Sequence, residues 1–103
     1  MVYDVIVSKE AHNDIDEIAN YIAQELNNIQ AATAFLDDIE NSYRRIADNP
    51  FMYALCEDIR LQEKGYRKVV IKNYLVLYRV IEEEKTVYVI RVVYGARDYV
   101  KLL

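Results

Sequence analysis

Residues 66–95 read YRKVVIKNYLVLYRVIEEEKTVYVIRVVYG, and this stretch decides the fold. Three runs rich in Val, Ile, Leu and Tyr are separated by Lys72-Asn73 and by Glu83-Glu84-Lys85, which are short polar segments typical of turns. Strands that follow one another through such short turns pair antiparallel. The stretch therefore predicts a three-stranded antiparallel meander.

The residues before this meander show a different spacing of apolar residues, which is typical of helices after one short strand. Residues 2–7 predict one short strand, after which Ser8 is placed to cap a helix. Apolar residues then recur every three or four positions up to Leu26, and again from Ala32 to Ala47, which predicts two amphipathic helices. Asn27-Asn28 separates the helices closely enough to make them a hairpin.

The second predicted helix ends at Asp48-Asn49-Pro50, because proline and the residue before it disfavour continuation. Residues 51–64 show no sustained period and predict mostly loop, and the last eight residues predict one or two helical turns. The layout is α+β, in the order β-α-α-β-β-β, with a helix hairpin on a small antiparallel sheet.

Length and composition limit the class of protein. The 103 residues, 53% of them hydrophobic and only three of them Gly or Pro, predict a single domain over 1–103. No apolar run approaches the roughly 20 residues that cross a bilayer, and Cys56 is the only cysteine. We expect a soluble cytoplasmic protein that does not associate with a membrane and binds no metal or cofactor.

Charge is divided unevenly along the chain. Residues 1–63 carry 4 Lys and Arg against 13 Asp and Glu, whereas residues 64–103 carry 9 against 4. An anionic partner would therefore meet the C-terminal part. The alternative is that the two parts balance each other within the fold.

Side-chain alternation predicts which face of the meander is open, because successive residues of a strand point to opposite faces. Val69 and Ile71 are expected to face the helices. The residues expected on the open face are the basic Lys68, Lys72, Arg79 and Arg91 and the apolar Leu75, Leu77 and Val89. Such a mixture is typical of a surface that binds a polyanion or an amphipathic peptide. In the alternative interpretation these cations only pair with carboxylates of the fold.

Five segments, taken in order, resemble the RelE/ParE superfamily of bacterial type II toxin–antitoxin toxins. They are YDVIVSKEAHNDIDEIANYI, DNP, GYR, NYLVLYRV and VVYGARDYVKLL, and together they extend over nearly the whole chain. The resemblance implies the same fold and a toxin of a plasmid stabilisation, or addiction, module. It also implies a cognate antitoxin whose C-terminal segment wraps around the toxin. The assembly expected is a toxin–antitoxin hetero-oligomer or a homo-oligomer.

The superfamily has two activities. ParE-like members inhibit DNA gyrase, whereas RelE-like members cleave mRNA on the ribosome. For a RelE-like protein the resemblance assigns catalytic roles to Lys68, Arg97 and, as a substitute for a missing terminal tyrosine, Tyr99. Two family positions are lost, since Leu75 stands where RelE-like toxins have an arginine and Leu103 where they have a tyrosine.

Gyrase inhibition is the preferred interpretation. The pI of about 5.0 is low for a protein that must compete for RNA, where phosphate neutralisation drives binding. A ribosome-dependent endoribonuclease is the second possibility, and a degenerate, non-toxic binding module is the third.

Overall fold

The helices and strands follow the predicted order. The structure is a computed structural model that describes residues 2–95 and 98–103. Its elements are β1 (Asp4–Val7), α1 (Lys9–Asn20), a π-helical turn (Tyr21–Glu25), α2 (Ile29–Asp48), α3 (Ile59–Glu63), β2 (Arg67–Ile71), β3 (Tyr74–Ile81), β4 (Thr86–Tyr94) and short 3₁₀ turns at Glu82–Glu84 and Val100–Leu102. Within the described ranges no helix is long and apolar enough to cross a membrane.

The four strands form one sheet in the order β1-β4-β3-β2. β2, β3 and β4 form the predicted antiparallel meander, and β1 joins the same sheet. β1 lies beside β4 and runs parallel to it, so the sheet is mixed, whereas the sequence predicted an antiparallel sheet. Parallel strands need a long connection, and the helix hairpin is part of the connection between β1 and β4. The predicted α+β class, with helices packed on a small sheet, is confirmed.

Caps fix the limits of the two long helices. Ser8 Oγ accepts a hydrogen bond from the Ala11 amide (3.0 Å) and begins α1. The first helix ends in the π-helical turn and then at Asn27, whose φ of 49° stops helical continuation. Asn28 caps α2 through the Ala31 amide (2.9 Å). The predicted helix hairpin is confirmed, with a π-helical last turn that the spacing of the apolar residues did not reveal.

The main core lies between the helix hairpin and the sheet. Its buried residues from the helices include Phe35 and Ile39, and those from the sheet include Val69, Val76 and Tyr78. The strand alternation predicted for β2 and β3 is therefore confirmed. We call this side of the sheet the helix-covered face.

A β-bulge overturns the alternation predicted for β4. Leu77 pairs with Arg91 whereas Tyr78 pairs with Val89, so that Ile90 is an extra residue on β4. An extra residue reverses which face the following side chains occupy. Val89 is fully buried in the core of the helix-covered face, and its predicted place on the open face is wrong.

The opposite face of the sheet is not open. A second apolar cluster there contains six buried residues: Cys56, Leu61, Tyr66, Leu75, Leu77 and Val93. α3 and the C-terminal residues 99–103 pack against it. Leu75 is 8% exposed and Leu77 fully buried, so the expectation that they are exposed is wrong. α3 has five residues, too few for an apolar period to be visible. We call this side the second face.

Candidate functional site

Lys68 lies beside the second face and is paired. Its Nζ is 3.2 Å from Glu57 Oε1, and the side chain of Lys68 is 22% exposed whereas that of Glu57 is 89% exposed. The loop before α3 thus supplies a carboxylate to the first meander strand. Because Glu57 is almost wholly in solvent, the ion pair is easily exchanged for another anion.

Arg79 joins β3 to the end of α3. Its Nε donates a hydrogen bond to the Lys64 carbonyl (2.9 Å), and its guanidinium carbon lies 5.3 Å from the centre of the Tyr66 ring. A guanidinium over an aromatic face is attracted by the electron-rich ring. Arg79 therefore holds the segment that covers the second face, while its side chain remains partly in solvent.

Arg91 is part of the link between β4 and α1. Its Nε and Nη2 donate to the two carboxylate oxygens of Asp14 at 2.7 and 2.9 Å, and the Val92 amide donates to the same carboxylate at 3.0 Å. This hydrogen-bonded carboxylate raises the pKa of Arg91. The contacts of Arg91 therefore agree with the alternative interpretation, in which the cations pair with carboxylates of the fold.

Lys72 lies in the turn between β2 and β3, with a φ of 53°. Its Nζ is 3.8 Å from Asp38 Oδ2 of α2, too far for a hydrogen bond, and its side chain is 58% exposed. The four predicted basic residues therefore do not form one cluster. Lys68 and Arg79 lie at the second face, whereas Lys72 and Arg91 are near carboxylates of the helix hairpin.

Two of the three candidate catalytic residues, Lys68 and Tyr99, are at the second face. Burial is the main cause that raises the pKa of Tyr99 above its usual value, and the positive charge of Lys68 partly opposes it. Cys56, which is fully buried in the apolar cluster of this face, has its thiol pKa raised by burial. Tyr99 is thus a neutral hydroxyl at physiological pH. Arg97, the third candidate, lies outside the described residues.

An aromatic groove between the helix hairpin and the sheet was not predicted. Tyr74 of β3 stacks edge-on against Phe35 and Tyr94, with ring centres 5.2 and 5.9 Å apart. Beside these rings is a groove of about 500 Å³, whose walls include Tyr21 and Leu26 at the end of α1. Tyr21, Leu26 and Tyr94 are each about half exposed. Tyr74 and Tyr94 lie opposite each other on adjacent strands. These two tyrosines were the feature of the sequence that could have indicated this groove.

This architecture is the fold of solved chains from RelE- and ParE-type toxin–antitoxin systems. The structure is similar to a chain of the chromosomal ParDE system of P. aeruginosa, with a TM-score of 0.71, 16% identity, and coverage of 90% of this chain and 96% of that one. It is similar to a mutant of the E. coli toxin RelE in the free state, with a TM-score of 0.71, 15% identity, and coverage of 99% and 93%. The third similar structure is the RelBE2 toxin–antitoxin complex of Mycobacterium tuberculosis, with a TM-score of 0.64, 19% identity, and coverage of 91% and 99%.

These low identities establish the fold alone. Comparison with curated protein sequences gave no match. The family model described as ParE toxin of type II toxin–antitoxin system, parDE, matches residues 5–99. The chain belongs to this family of toxins, and the resemblance inferred from its sequence is confirmed.

Proposed function

We propose that this chain is a cytoplasmic toxin that inhibits DNA gyrase by binding it, and that a cognate antitoxin neutralises it. The match to the ParE family model over residues 5–99 supports the ParE-like activity. The toxin–antitoxin complexes among the similar structures support the antitoxin as a partner. Binding alone is sufficient for such a toxin, and no reacting group is required of it.

The observation that carries the proposal is the burial of Leu75 and Leu77 on the second face. Cleavage of RNA through its 2′-hydroxyl needs cations at the phosphate and groups that carry protons. Leu75 occupies the position of the RelE-like arginine and is enclosed by apolar side chains. An apolar cluster at this position favours a toxin that does not cleave RNA.

Two surfaces remain available for protein partners. One is the aromatic groove, where half-exposed tyrosines offer large apolar contacts together with hydroxyl groups. The other is the rim of the second face, where Lys68 and Arg79 reach solvent in part. Six residues of the predicted open face are candidates for binding the antitoxin or target: Lys68, Lys72, Leu75, Leu77, Arg79 and Arg91. Of these we retain Lys68, Lys72 and Arg79 as direct contacts. Leu75, Leu77 and Arg91 support the surface from within.

The decisive experiment uses purified protein and purified DNA gyrase in a supercoiling reaction on relaxed plasmid. We expect inhibition that rises with toxin concentration and disappears when the antitoxin is added. In cells, induction should change plasmid supercoiling before the rate of protein synthesis falls. A translation rate that falls first, with supercoiling unchanged, would contradict the proposal.

A ribosome-dependent endoribonuclease is the second candidate function, favoured by the positive charge of Lys68, which acts to lower the pKa of Tyr99. It predicts codon-specific cleavage of mRNA on purified ribosomes, lost in Lys68→Met, Tyr99→Phe and Arg97→Ala. Lys101→Met is the matched control, because Lys101 is 85% exposed in the same C-terminal segment. Our proposal expects no such cleavage from the unmodified protein. If neither gyrase nor mRNA is affected, the chain is the non-toxic binding module.

A further inference from the structure

The turn that follows α2 exposes two large apolar side chains that are adjacent in the chain. Phe51 is 49% exposed and Met52 is 55% exposed. The Phe51 ring packs edge-on against Tyr3, with ring centres 6.3 Å apart, and Tyr53 after them is half-buried. Aromatic and Met side chains are enriched where protein interfaces bury their centre. The turn therefore has the composition of a binding surface.

This turn, residues 50–53, is held in place by strands β2 and β3. The fully buried Tyr78 of β3 donates its hydroxyl to the Pro50 carbonyl (2.7 Å). Arg67 of β2 donates from Nη1 to the Tyr53 carbonyl (2.6 Å). An ordered surface loses less conformational entropy when a partner binds. The exposed apolar side chains are thus presented on a turn that is already fixed before binding.

Two arginines flank this turn without a carboxylate partner. Arg45 donates from Nε to the Tyr53 hydroxyl (3.1 Å). The guanidinium carbon of Arg67 lies 5.2 Å from the centre of the Phe51 ring. Over residues 2–95 and 98–103, neither guanidinium forms an ion pair. A guanidinium carries several N–H donors, so those that the fold does not use can bind a carboxylate of another molecule.

The charge around the turn favours an isolated carboxylate over a polyanion. Residues 1–63, which include Arg45 and the turn, carry 13 Asp and Glu against 4 Lys and Arg. A nucleic acid extends over many phosphates, and this acidic part of the chain would repel it. A symmetric contact between two copies of the chain would bring the same guanidiniums together, which is unfavourable as well. A protein segment with one carboxylate beside an apolar side chain meets neither obstacle.

We propose that residues 50–53, together with Arg45 and Arg67, are a docking site for a segment of a protein partner. The segment places an apolar side chain on Phe51 and Met52 and a carboxylate on the two guanidiniums. The apolar contact gives most of the affinity, and the carboxylate selects the partner. The site shares no residue with the aromatic groove or with the rim of the second face. It does not depend on whether gyrase is the target of the toxin.

The first experiment selects peptides from a random displayed library on the immobilised full-length chain. The Met52→Ser variant competes in solution throughout, so that only peptides whose binding needs Met52 stay on the immobilised chain. We expect the retained peptides to share an Asp or Glu within a few residues of an aromatic or leucine side chain. Retained peptides without this pattern, or no retained peptide at all, would overturn the proposal.

The most enriched peptide is then measured by isothermal titration calorimetry against matched variants. Met52→Ser should weaken binding by about fivefold or more, as the truncation of a central interface residue does. Its control is Ile59→Ser on α3, where Ile59 is 64% exposed, and binding should stay within about twofold. Arg45→Gln should weaken binding by about three- to fivefold, the effect of one exposed ion pair. Its control is Arg44→Gln, because Arg44 is 71% exposed on the same helix and pairs with Glu40.

Urea unfolding of the four variants separates lost binding from lost stability, and the midpoints should be nearly equal since the side chains are exposed. In the unmodified chain, the peptide should shift the methyl NMR resonance of Met52, a measurement that needs no variant. An unaffected Met52 methyl would overturn the proposal. So would equal affinity of Arg45→Gln and Arg44→Gln, or of the peptide and a version with Asn and Gln in place of Asp and Glu.

Two further results would overturn the proposal in favour of another occupant. Self-association in analytical ultracentrifugation that disappears in Met52→Ser would identify a second copy of the chain. Binding of a single-stranded oligonucleotide that disappears in Arg45→Gln would identify a nucleic acid. We expect neither from the unmodified chain.

Discussion

The two faces of the sheet are covered in different ways. Two long helices, α1 and α2, cover one face and bury Phe35, Val76 and Tyr78 in a continuous core. Among the residues that the structure describes, the second face is covered by the five-residue α3, by Cys56 in the loop before it and by the C-terminal residues 99–103. Both covers bury apolar side chains completely, since Leu77 is as inaccessible as Val76.

This difference bears on function. The long helices have amphipathic surfaces of their own, whereas the thin cover on the second face is contacted by Arg79, which bonds to the Lys64 carbonyl, and by Lys68, which pairs with the exposed Glu57. Two cations predicted to bind a partner thus also contribute to the fold. Substituting them tests stability and binding together, so each variant requires an unfolding measurement beside the binding assay.

The largest effect is expected at the link between β4 and α1. Asp14→Ala removes the carboxylate that receives both Arg91 nitrogens, and these side chains are only 12% and 20% exposed. An uncompensated cation at a mostly buried site costs about 4 kcal/mol of unfolding free energy. Urea unfolding followed by circular dichroism measures the loss.

The control for this link is Asp16→Ala on the exposed side of α1, which should change stability by less than about 0.5 kcal/mol. The double variant Asp14→Ala/Arg91→Ala should lose less than the two single losses added together, because the partners interact. An Asp14→Ala loss no greater than that of Asp16→Ala would show that the pair does not hold α1.

Leu77→Ala tests how much the cover of the second face contributes to the unfolding free energy. Leu77 is fully buried, and its truncation should cost about 3 kcal/mol of unfolding free energy. Val70→Ala is the control, because Val70 is 65% exposed on the neighbouring strand and should lose much less. Nearly equal losses in the two variants would mean that the cover on the second face contributes little.

Alkaline pH tests the core of the helix-covered face. Burial raises the pKa of Tyr43 to about 12 and raises that of Tyr78 as well, against about 10 for an unfolded tyrosine. Between these values the unfolded chain loses protons that the folded chain retains. Stability is therefore complete below about pH 10 and falls as pH rises, by about 2 to 3 kcal/mol for Tyr43 by about pH 12.

Urea unfolding at a series of alkaline pH values, with tyrosinate absorbance as the titration signal, measures this loss. Tyr43→Phe is the matched variant, since the Tyr43 hydroxyl has no hydrogen-bond partner among the residues described. Its stability should decline less with pH and should equal or exceed that of the unmodified chain at neutral pH. The same decline in both proteins would argue against Tyr43 as the titrating group.

The smallest effect is expected at Ser8, which connects the first helix to the bulged strand. Its Oγ accepts from the Ala11 amide and donates to the Ile90 carbonyl (2.7 Å). Ser8→Ala should lower the unfolding free energy by about 1 kcal/mol, the usual cost of a lost N-cap. Ser8→Thr retains a hydroxyl that can make both hydrogen bonds, so its unfolding free energy should lie between those of Ser8→Ala and the unmodified chain. An unchanged unfolding free energy in Ser8→Ala would contradict the role of the cap.

Much of the fold was predictable from the sequence. The helix hairpin follows from the spacing of apolar residues, and its limits follow from Ser8, Asn28 and Pro50. The meander follows from residues 66–95. Of the candidate site, the roles that the family resemblance assigned to Lys68 and Tyr99 stay predictions.

The predictions that failed share one cause. Val89 is on the helix-covered face because Ile90 is an extra residue, and its effect on pairing depends on β3. Leu75 and Leu77 are buried because α3 and the C-terminal segment cover them. Each error concerns a contact between segments that are distant in the chain.

The sequence by itself determined the two long helices, the four strands and their order, because the period of apolar residues depends only on the geometry within one helix or strand. The family followed from the resemblance of five segments of the sequence to known toxins. Only the tertiary structure decided which faces are covered and which cations are paired. A short helix and a terminal segment acquire their place from the surface they bury, so contacts between distant segments decided which parts of the sheet stay exposed.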